Sequence, residues 1–343
     1  MLKLSRINKR RLTVFKSHKR GYYSAWGLLL LFMFSLLGDL FFNHKPIVVK
    51  YNSEYYFPFL FVYPESHFGG IFETETDYKD PEIKKTISSK GNWVLWAPIK
   101  FGPMEVDFNL SQPAPSPPDD RHWLGTDDRA RDVLSRLVFG FRLSLFFGML
   151  IALLGSFIGI GVGAVQGYFG GKVDLIGQRL IEIWSSLPEL FILIILTSIF
   201  QPTLILITFL MAAMGWVGLA AYVRAEFLRA REYDYVQSAK ALGASRLRVI
   251  FLHIFPNTLV PVITFFPFRV SAAITGLAAL DFLGLGVSSH VPSLGELLSQ
   301  GKSNLHSWWI IFSTFCVMVM LILMLNFIGE SIRKAMDPKS IQK

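Results

Sequence analysis

Residues 143–169 contain no Asp, Glu, Lys or Arg. A charge-free apolar run of that length constrains the chain more than any other feature. As a helix it can cross about 30 Å of hydrocarbon, which takes roughly 20 residues. A helix also satisfies every backbone donor and acceptor within the segment, as lipid requires. Gly155, Gly159, Gly163 and Gly167 recur at every fourth position of the run. Such a stripe lets a second helix backbone approach closely. That second helix can come from the same chain or from another subunit.

The whole chain agrees with this start. It is 52% hydrophobic and 17% charged, with mean hydropathy +0.43. Soluble domains run about 45–50% apolar and about 25% charged. Six apolar spans are expected, at 22–42, 143–169, 175–200, 203–223, 257–280 and 308–328. Lys3, Arg6, Lys9, Arg10, Arg11, Lys16, Lys19 and Arg20 precede the first, with no acid among them. A basic flank of this kind predicts a cytoplasmic segment at 1–21. No small-x-small cleavage site follows residue 42, so the first span reads as an uncleaved anchor rather than a signal peptide.

Residues 43–141 differ in composition, with Pro, Tyr, Trp and charges of both signs. They read as a large extracytoplasmic insert. The aromatic runs 55–63 and 92–99 are open between strands and surface-seeking segments. At 122–145, Thr126 or Asp127 can cap a helix. Val133, Leu134, Leu137, Val138 and Phe141 form one apolar stripe, with Arg129, Asp132 and Arg136 mainly opposite. This predicts a helix lying on the membrane surface at the end of the insert. The main transmembrane domain then covers 142–330, and 331–343 is a second cytoplasmic end.

Alternation of six spans puts residues 224–256 on the cytoplasmic side. The same loop carries Arg224, Arg229, Arg231, Lys240, Arg246 and Arg248 against Glu226, Glu232 and Asp234. Charge and alternation therefore agree.

Enzymatic chemistry finds little support. Cys316 is the single cysteine, which excludes an internal disulfide or thiolate cluster. The seven histidines make no H-E-x-x-H pattern. Gly301-Lys302-Ser303 resembles the end of a phosphate loop, but Glu296 stands where that motif needs its first Gly. No G-x-S-x-G arrangement exists. If ATP is used, another chain binds it.

Two features remain. Residues 233–242 can form a short helix across the membrane face, ended by a left-handed turn at Gly243. Ser238, Ala239, Ala241 and Ala244 are small enough for docking into a partner's groove, with Tyr233 and Tyr235 as anchors. The plainer alternative is a loop that joins two spans. Arg269 lies near the middle of the fifth span, where a charge costs about 2.5–3.5 kcal/mol on translocon scales. It either lines a path and meets a substrate carboxylate, or pairs structurally with Glu182 or Glu189. Asp281 is too far along the helix for a direct pair, at about 18 Å.

Residues 233–256 resemble the EAA loop of ABC-importer permeases. Gln237-Ser238-Ala239 stand for E-A-A, Gly243 is the loop glycine, and His253-Ile254-Phe255-Pro256 stand for I-x-L-P. Leu124-Gly125-Thr126-Asp127 with Arg131-Asp132-Val133-Leu134-Ser135-Arg136 is similar to the L-G-T-D…G-R-D-V-L-S-R signature of dipeptide/oligopeptide permeases. Asp281-Phe282-Leu283-Gly284-Leu285-Gly286, Ser293-Leu294-Gly295-Glu296 and Met336-Asp337-Pro338 extend the resemblance. The wording is most similar to the subgroup linked to peptide and microcin C uptake. The chain departs from the pattern at Gln237, Ser238, Ala130, His253 and Phe255.

The resemblance implies an all-α polytopic permease of the bacterial inner membrane, folded as a type I importer. It implies a homologous second permease, two ATPase subunits, a periplasmic substrate-binding protein and lipid as partners, and no nucleic acid. ATP and Mg would sit on the ATPase subunits, with no cofactor on this chain. It also implies that Tyr233, Tyr235, Gln237, Ser238, Ala239, Ala241, Gly243 and Ala244 couple to the ATPase. The alternatives from other classes are an ion-driven secondary transporter and a membrane-anchored scaffold with a working insert.

Overall fold

The computed structural model describes residues 6–89, 91–286 and 290–337. Lys3, Pro338, Lys339 and Lys343, which the sequence reading used at the two ends, lie outside the described residues.

The helices, in chain order, are α1 (Arg6–Ser17), α2 (Lys19–Leu36), α3 (Gly38–Phe41), α4 (Pro81–Ile87), α5 (Val133–Phe169), α6 (Gly171–Ser185), α7 (Glu189–Ile199), α8 (Leu204–Met214), α9 (Val217–Ala230), α10 (Asp234–Ala241), α11 (Arg246–Phe282), α12 (Leu294–Ser303) and α13 (Trp308–Met336). Three short strands join them: β1 (Val48–Tyr51), β2 (Glu54–Tyr56) and β3 (Trp93–Leu95).

Among the described residues, α5, α11 and α13 are long and apolar enough to cross a membrane. Two more spans arise if the bent pairs α6–α7 and α8–α9 each count as one. The first bends by 67° at Pro188, the second by 42° at Gly215-Trp216. The predicted first span is helical but interrupted at Leu37, between α2 and α3. Only Gly170 separates α5 from α6, which starts at Gly171. Residues 249–254 of α11 form a π turn just before Pro256. Proline lacks an N–H and clashes with the preceding turn, and a wider turn relieves both.

The contacts divide the chain into two units. The insert unit comprises the described residues of 30–143 and 289–318. Its sheet has the order β2-β1-β3, antiparallel throughout, with Val49 opposite both Tyr56 and Val94. The two aromatic runs left open by the sequence thus each begin with a strand. Val49, Phe68, Tyr78, Ile83 and Ile87 form a core beneath the sheet. Asp80 caps α4 by accepting from the N–H groups of Glu82 and Ile83 at 2.8 and 3.3 Å. A second core joins Val133, Leu137, Leu294, Leu297, Trp309 and Ile310. Residues 43–141 therefore do not pack alone; they share a core with the chain after residue 290.

The helical unit comprises the described residues of 1–29, 144–288 and 319–343. One core gathers Leu219, Val223, Phe227, Val236, Val249 and Ile254. Another gathers Ile151, Leu193, Ile207, Met211, Leu277 and Leu280. Only 22% to 39% of each long apolar window is buried. Phe157, Leu180, Phe191 and Ile205 are exposed. Apolar helices that expose most of their surface require lipid or a partner to cover it.

Candidate functional site

The hairpin after α9 is built by local backbone chemistry. α10 ends in a Schellman turn: Ala244 N donates to Ala239 O, and Gly243 N to Lys240 O, both at 3.0 Å. This turn needs a left-handed residue, and Gly243 has φ +82°. A Cβ at Gly243 would meet nothing within 4 Å, so the constraint is conformational rather than spatial. Ser245 then opens α11, its Oγ accepting from Arg248 N at 3.4 Å.

Val236 is fully buried and anchors α10 to the core beneath it. Tyr233, Tyr235, Gln237, Ser238, Ala241 and Gly243 are exposed, whereas Ala239 and Ala244 are half-buried. Tyr235 is less free than the sequence suggests. Its hydroxyl donates to His253 O at 3.3 Å and accepts from Asn257 Nδ2 at 3.0 Å. Gln237 Nε2 donates to Arg231 O at 2.9 Å, satisfying a carbonyl at the end of α9. A carboxylate at that position has no proton to donate.

Four residues to which the sequence gave no docking role are the large exposed apolar side chains here. Leu242, Leu247, Phe251 and Leu252 range from 63% to 89% exposed. The available signal was large apolar side chains inside a basic segment. α9 is fixed to α6 by a two-pronged pair, Arg224 with Asp174, one arm of which measures 2.5 Å.

The glycine stripe of α5 faces α9 and the residues just before it. A Cβ at Gly159 would lie 2.9 Å from Trp216 O. One at Gly163 would lie 2.5 Å from Ala220 O, and one at Gly167 2.5 Å from Phe227 Cβ. Gly155 is different: there a Cβ would meet Arg269 Nη2 at 2.7 Å. Among the described residues no carboxylate pairs with Arg269, and its Nε is buried without a hydrogen-bond partner. Glu182, one partner suggested by the sequence, pairs instead with Arg179 at 2.5 Å.

The L-G-T-D segment holds a second constellation, in the insert unit. Asp127 is not a helix cap. Its Oδ1 accepts from Arg129 N and Arg131 N at 2.9 Å, and its Oδ2 takes Arg131 Nη2 at 2.7 Å. The cap is Asp132, which accepts from Ser135 N at 2.7 Å. Arg136 is wholly buried. Its Nη2 meets Glu296 Oε2 at 2.5 Å and its Nε lies 3.4 Å from Asp127 Oδ2. Of the charges read as the wet side of a surface-lying helix, Asp132 and Arg136 are thus buried in ion pairs while Arg129 is exposed, and residues 133–141 are the first turns of α5 itself. Trp309 Nε1 donates to Thr126 O at 3.2 Å. His122 sits between Asp132 at 2.8 Å and Asp107 at 3.2 Å. Burial opposes its charge, but the two carboxylates outweigh burial and raise its pKa. Gly301-Lys302-Ser303 is the last turn of α12, not a phosphate loop.

A family profile described as "Binding-protein-dependent transport system inner membrane component" matches residues 155–342, from the first glycine of the stripe through the hairpin and Arg269. The chain belongs to this family. Among curated relatives, the permease is 46% identical to the "Inner membrane ABC transporter permease protein YejE" of Escherichia coli, over 98% of this chain and 99% of that protein. It is 41% identical to the "Peptidoglycan transport system permease protein YejE" of Agrobacterium fabrum, over 98% and 94%. It is 38% identical to the "Dipeptide transport system permease protein DppC" of Haemophilus influenzae, over 63% and 74%. A chain of the MetNI methionine ABC transporter in an inward-facing crystal form superimposes with a TM-score of 0.50 and 17% identity. It covers 59% of the permease and 96% of that chain, and shows the fold alone. The permease is an inner membrane component with a type I ABC importer fold.

Proposed function

We propose that this permease imports peptides or peptide-like compounds, microcin C among them, using ATP hydrolysed on separate subunits. The name of its dipeptide-transporting relative supports peptide cargo. The hairpin carries the coupling half of the reading. Its Schellman turn at Gly243 follows the exposed Leu242, and Leu247, Phe251 and Leu252 at the start of α11 are exposed as well, on a segment rich in arginine. An ATPase groove that receives this segment can pass its closing motion to α9 and α11. Coupling requires the hairpin to bind the two ATPase states with different free energy. Alternating access then follows from rigid-body rocking of the helices.

In this reading the path is shared with a homologous second permease, and two ATPase subunits carry ATP and Mg. A periplasmic binding protein delivers cargo on the side of the insert, and both termini are cytoplasmic. Arg269 lines the path and meets a substrate carboxylate. A guanidinium without a carboxylate partner among the described residues, at its depth in α11, supports that role.

The test is purification of the tagged permease in mild detergent, with its companions identified by mass spectrometry. A second permease and a Walker-motif ATPase should accompany it. The ATPase should be lost when Leu242 and Phe251 become Asp, while the second permease stays. A permease that emerges alone from several gentle detergents contradicts the reading.

A further inference from the structure

The insert unit contains a cleft of about 1060 Å³ to which the import scheme assigns nothing. Sites for small molecules occupy roughly 300–1000 Å³, so this one is large enough for a ligand of several residues.

One wall is preformed. Lys79 pairs with Glu105, donates to Lys100 O at 2.5 Å and stands 4.2 Å over the Phe101 ring. Phe101 in turn lies 4.2 Å from the buried His122 ring. Arg121 is held by Asp107 at 3.1 Å and by Asn109 O at 2.6 Å. These groups satisfy one another and stiffen the wall.

The remaining lining is open to a ligand. Phe108 and Trp123 both face the cleft, and are 90% and 59% exposed. Exposed rings supply contact area with few rotatable bonds to immobilise. Lys84, Lys100 and Asp120 also line the cleft, and none of the three has an ion partner among the described residues. A simple anion would satisfy only the lysines, and a simple cation only the aspartate. A wholly apolar ligand would strip water from both without replacing its hydrogen bonds. A molecule carrying an ammonium, a carboxylate and an apolar group meets all three demands.

We propose that the cleft binds a short peptide with free termini and an aromatic or apolar side chain, as a site on the permease separate from Arg269. Its place in uptake rests on the peptide-import reading; the binding itself does not.

The test uses the full-length permease in lipid nanodiscs and equilibrium dialysis of radiolabelled Ala-Phe-Ala. Saturable binding is expected. Blocking both peptide ends as the acetyl and amide should weaken it about tenfold or more, the loss of roughly 1.4 kcal/mol. Phe108→Ser with Trp123→Ser should weaken it as much without lowering the thermal midpoint, since both rings are exposed. Arg269→Met should leave it unchanged. Absence of saturable binding at millimolar peptide overturns the proposal. So does equal binding of the blocked peptide, or loss of binding on Arg269→Met but not on the double ring variant. Uptake of the same peptide by the complete importer in proteoliposomes separates the two ideas. Uptake without cleft binding removes the cleft alone, whereas cleft binding without uptake removes the import reading alone.

Discussion

Arg136 and Glu296 meet at 2.5 Å across 160 residues of sequence, and Arg136 is wholly buried. Asp127 and Arg131 complete the cluster. Removing one member of a buried pair leaves an uncompensated charge, at a cost of about 3–5 kcal/mol. Glu296→Ala should therefore lower the thermal midpoint of the detergent-solubilised permease sharply. Arg136→Met with Glu296→Met should recover part of the loss, and a double-mutant cycle measures the coupling.

Ala130 has φ +57° in the tight turn that Asp127 closes. Ala130 stands where the dipeptide-permease signature that this segment resembles has Gly. A left-handed residue with a Cβ costs roughly 1–2 kcal/mol. Ala130→Gly should raise the thermal midpoint of the insert, and Ala130→Val should lower it.

At Gly243 the demand is for a left-handed backbone rather than for space. Asn adopts that conformation more readily than other non-glycine residues, whereas β-branched residues do not. Gly243→Asn should preserve co-purification of the ATPase, and Gly243→Val should abolish it. Gln237→Glu replaces a donor to Arg231 O with a carboxylate. It should loosen the end of α9 by about 1 kcal/mol, seen as faster amide exchange at 229–233.

Within the glycine stripe the obstacles differ. A Cβ at Gly163 meets the Ala220 carbonyl, which cannot move without α9, whereas one at Gly155 meets the tip of Arg269. Gly163→Ala should reduce assembly with the second permease and the thermal midpoint. Gly155→Ala should leave assembly intact and change uptake of peptides with free carboxylates, matching Arg269→Met in kind.

His122 should make the insert sensitive to alkali. Its pKa is raised in the folded state, because Asp132 and Asp107 outweigh burial. The stabilisation is fully present below about 6.5, the ordinary histidine value, and is lost as pH rises through the raised folded value. Arg121 and Asp119 are the other charged groups near this cluster. His44, whose pKa burial lowers, acts in the opposite window, below the ordinary value. Amide exchange at 116–132, corrected for its intrinsic pH dependence, should quicken as pH rises above about 6.5, the ordinary histidine value. That change should vanish in His122→Gln.

The membrane character of this protein was legible in sequence because lipid imposes a local rule. A charge-free run such as 143–169 must satisfy its own backbone, and no distant residue alters that. The hairpin was legible for a similar reason, since Gly243 and Ser245 set a turn and a cap through neighbours within a few positions. Even Gly155, Gly159, Gly163 and Gly167 announced a close helix contact by period alone. The partners of those contacts were not local. Periodicity did not reveal that three glycines face α9 and the residues before it while Gly155 makes room for Arg269. Nor did it reveal that Asp132 and Arg136, spaced with Arg129 like the wet side of a surface helix, lie buried against His122 and Glu296 while Arg129 alone stays exposed. An isolated segment shows its charges as solvated; only when the chain returns to cover them does folding decide between water and a counter-ion.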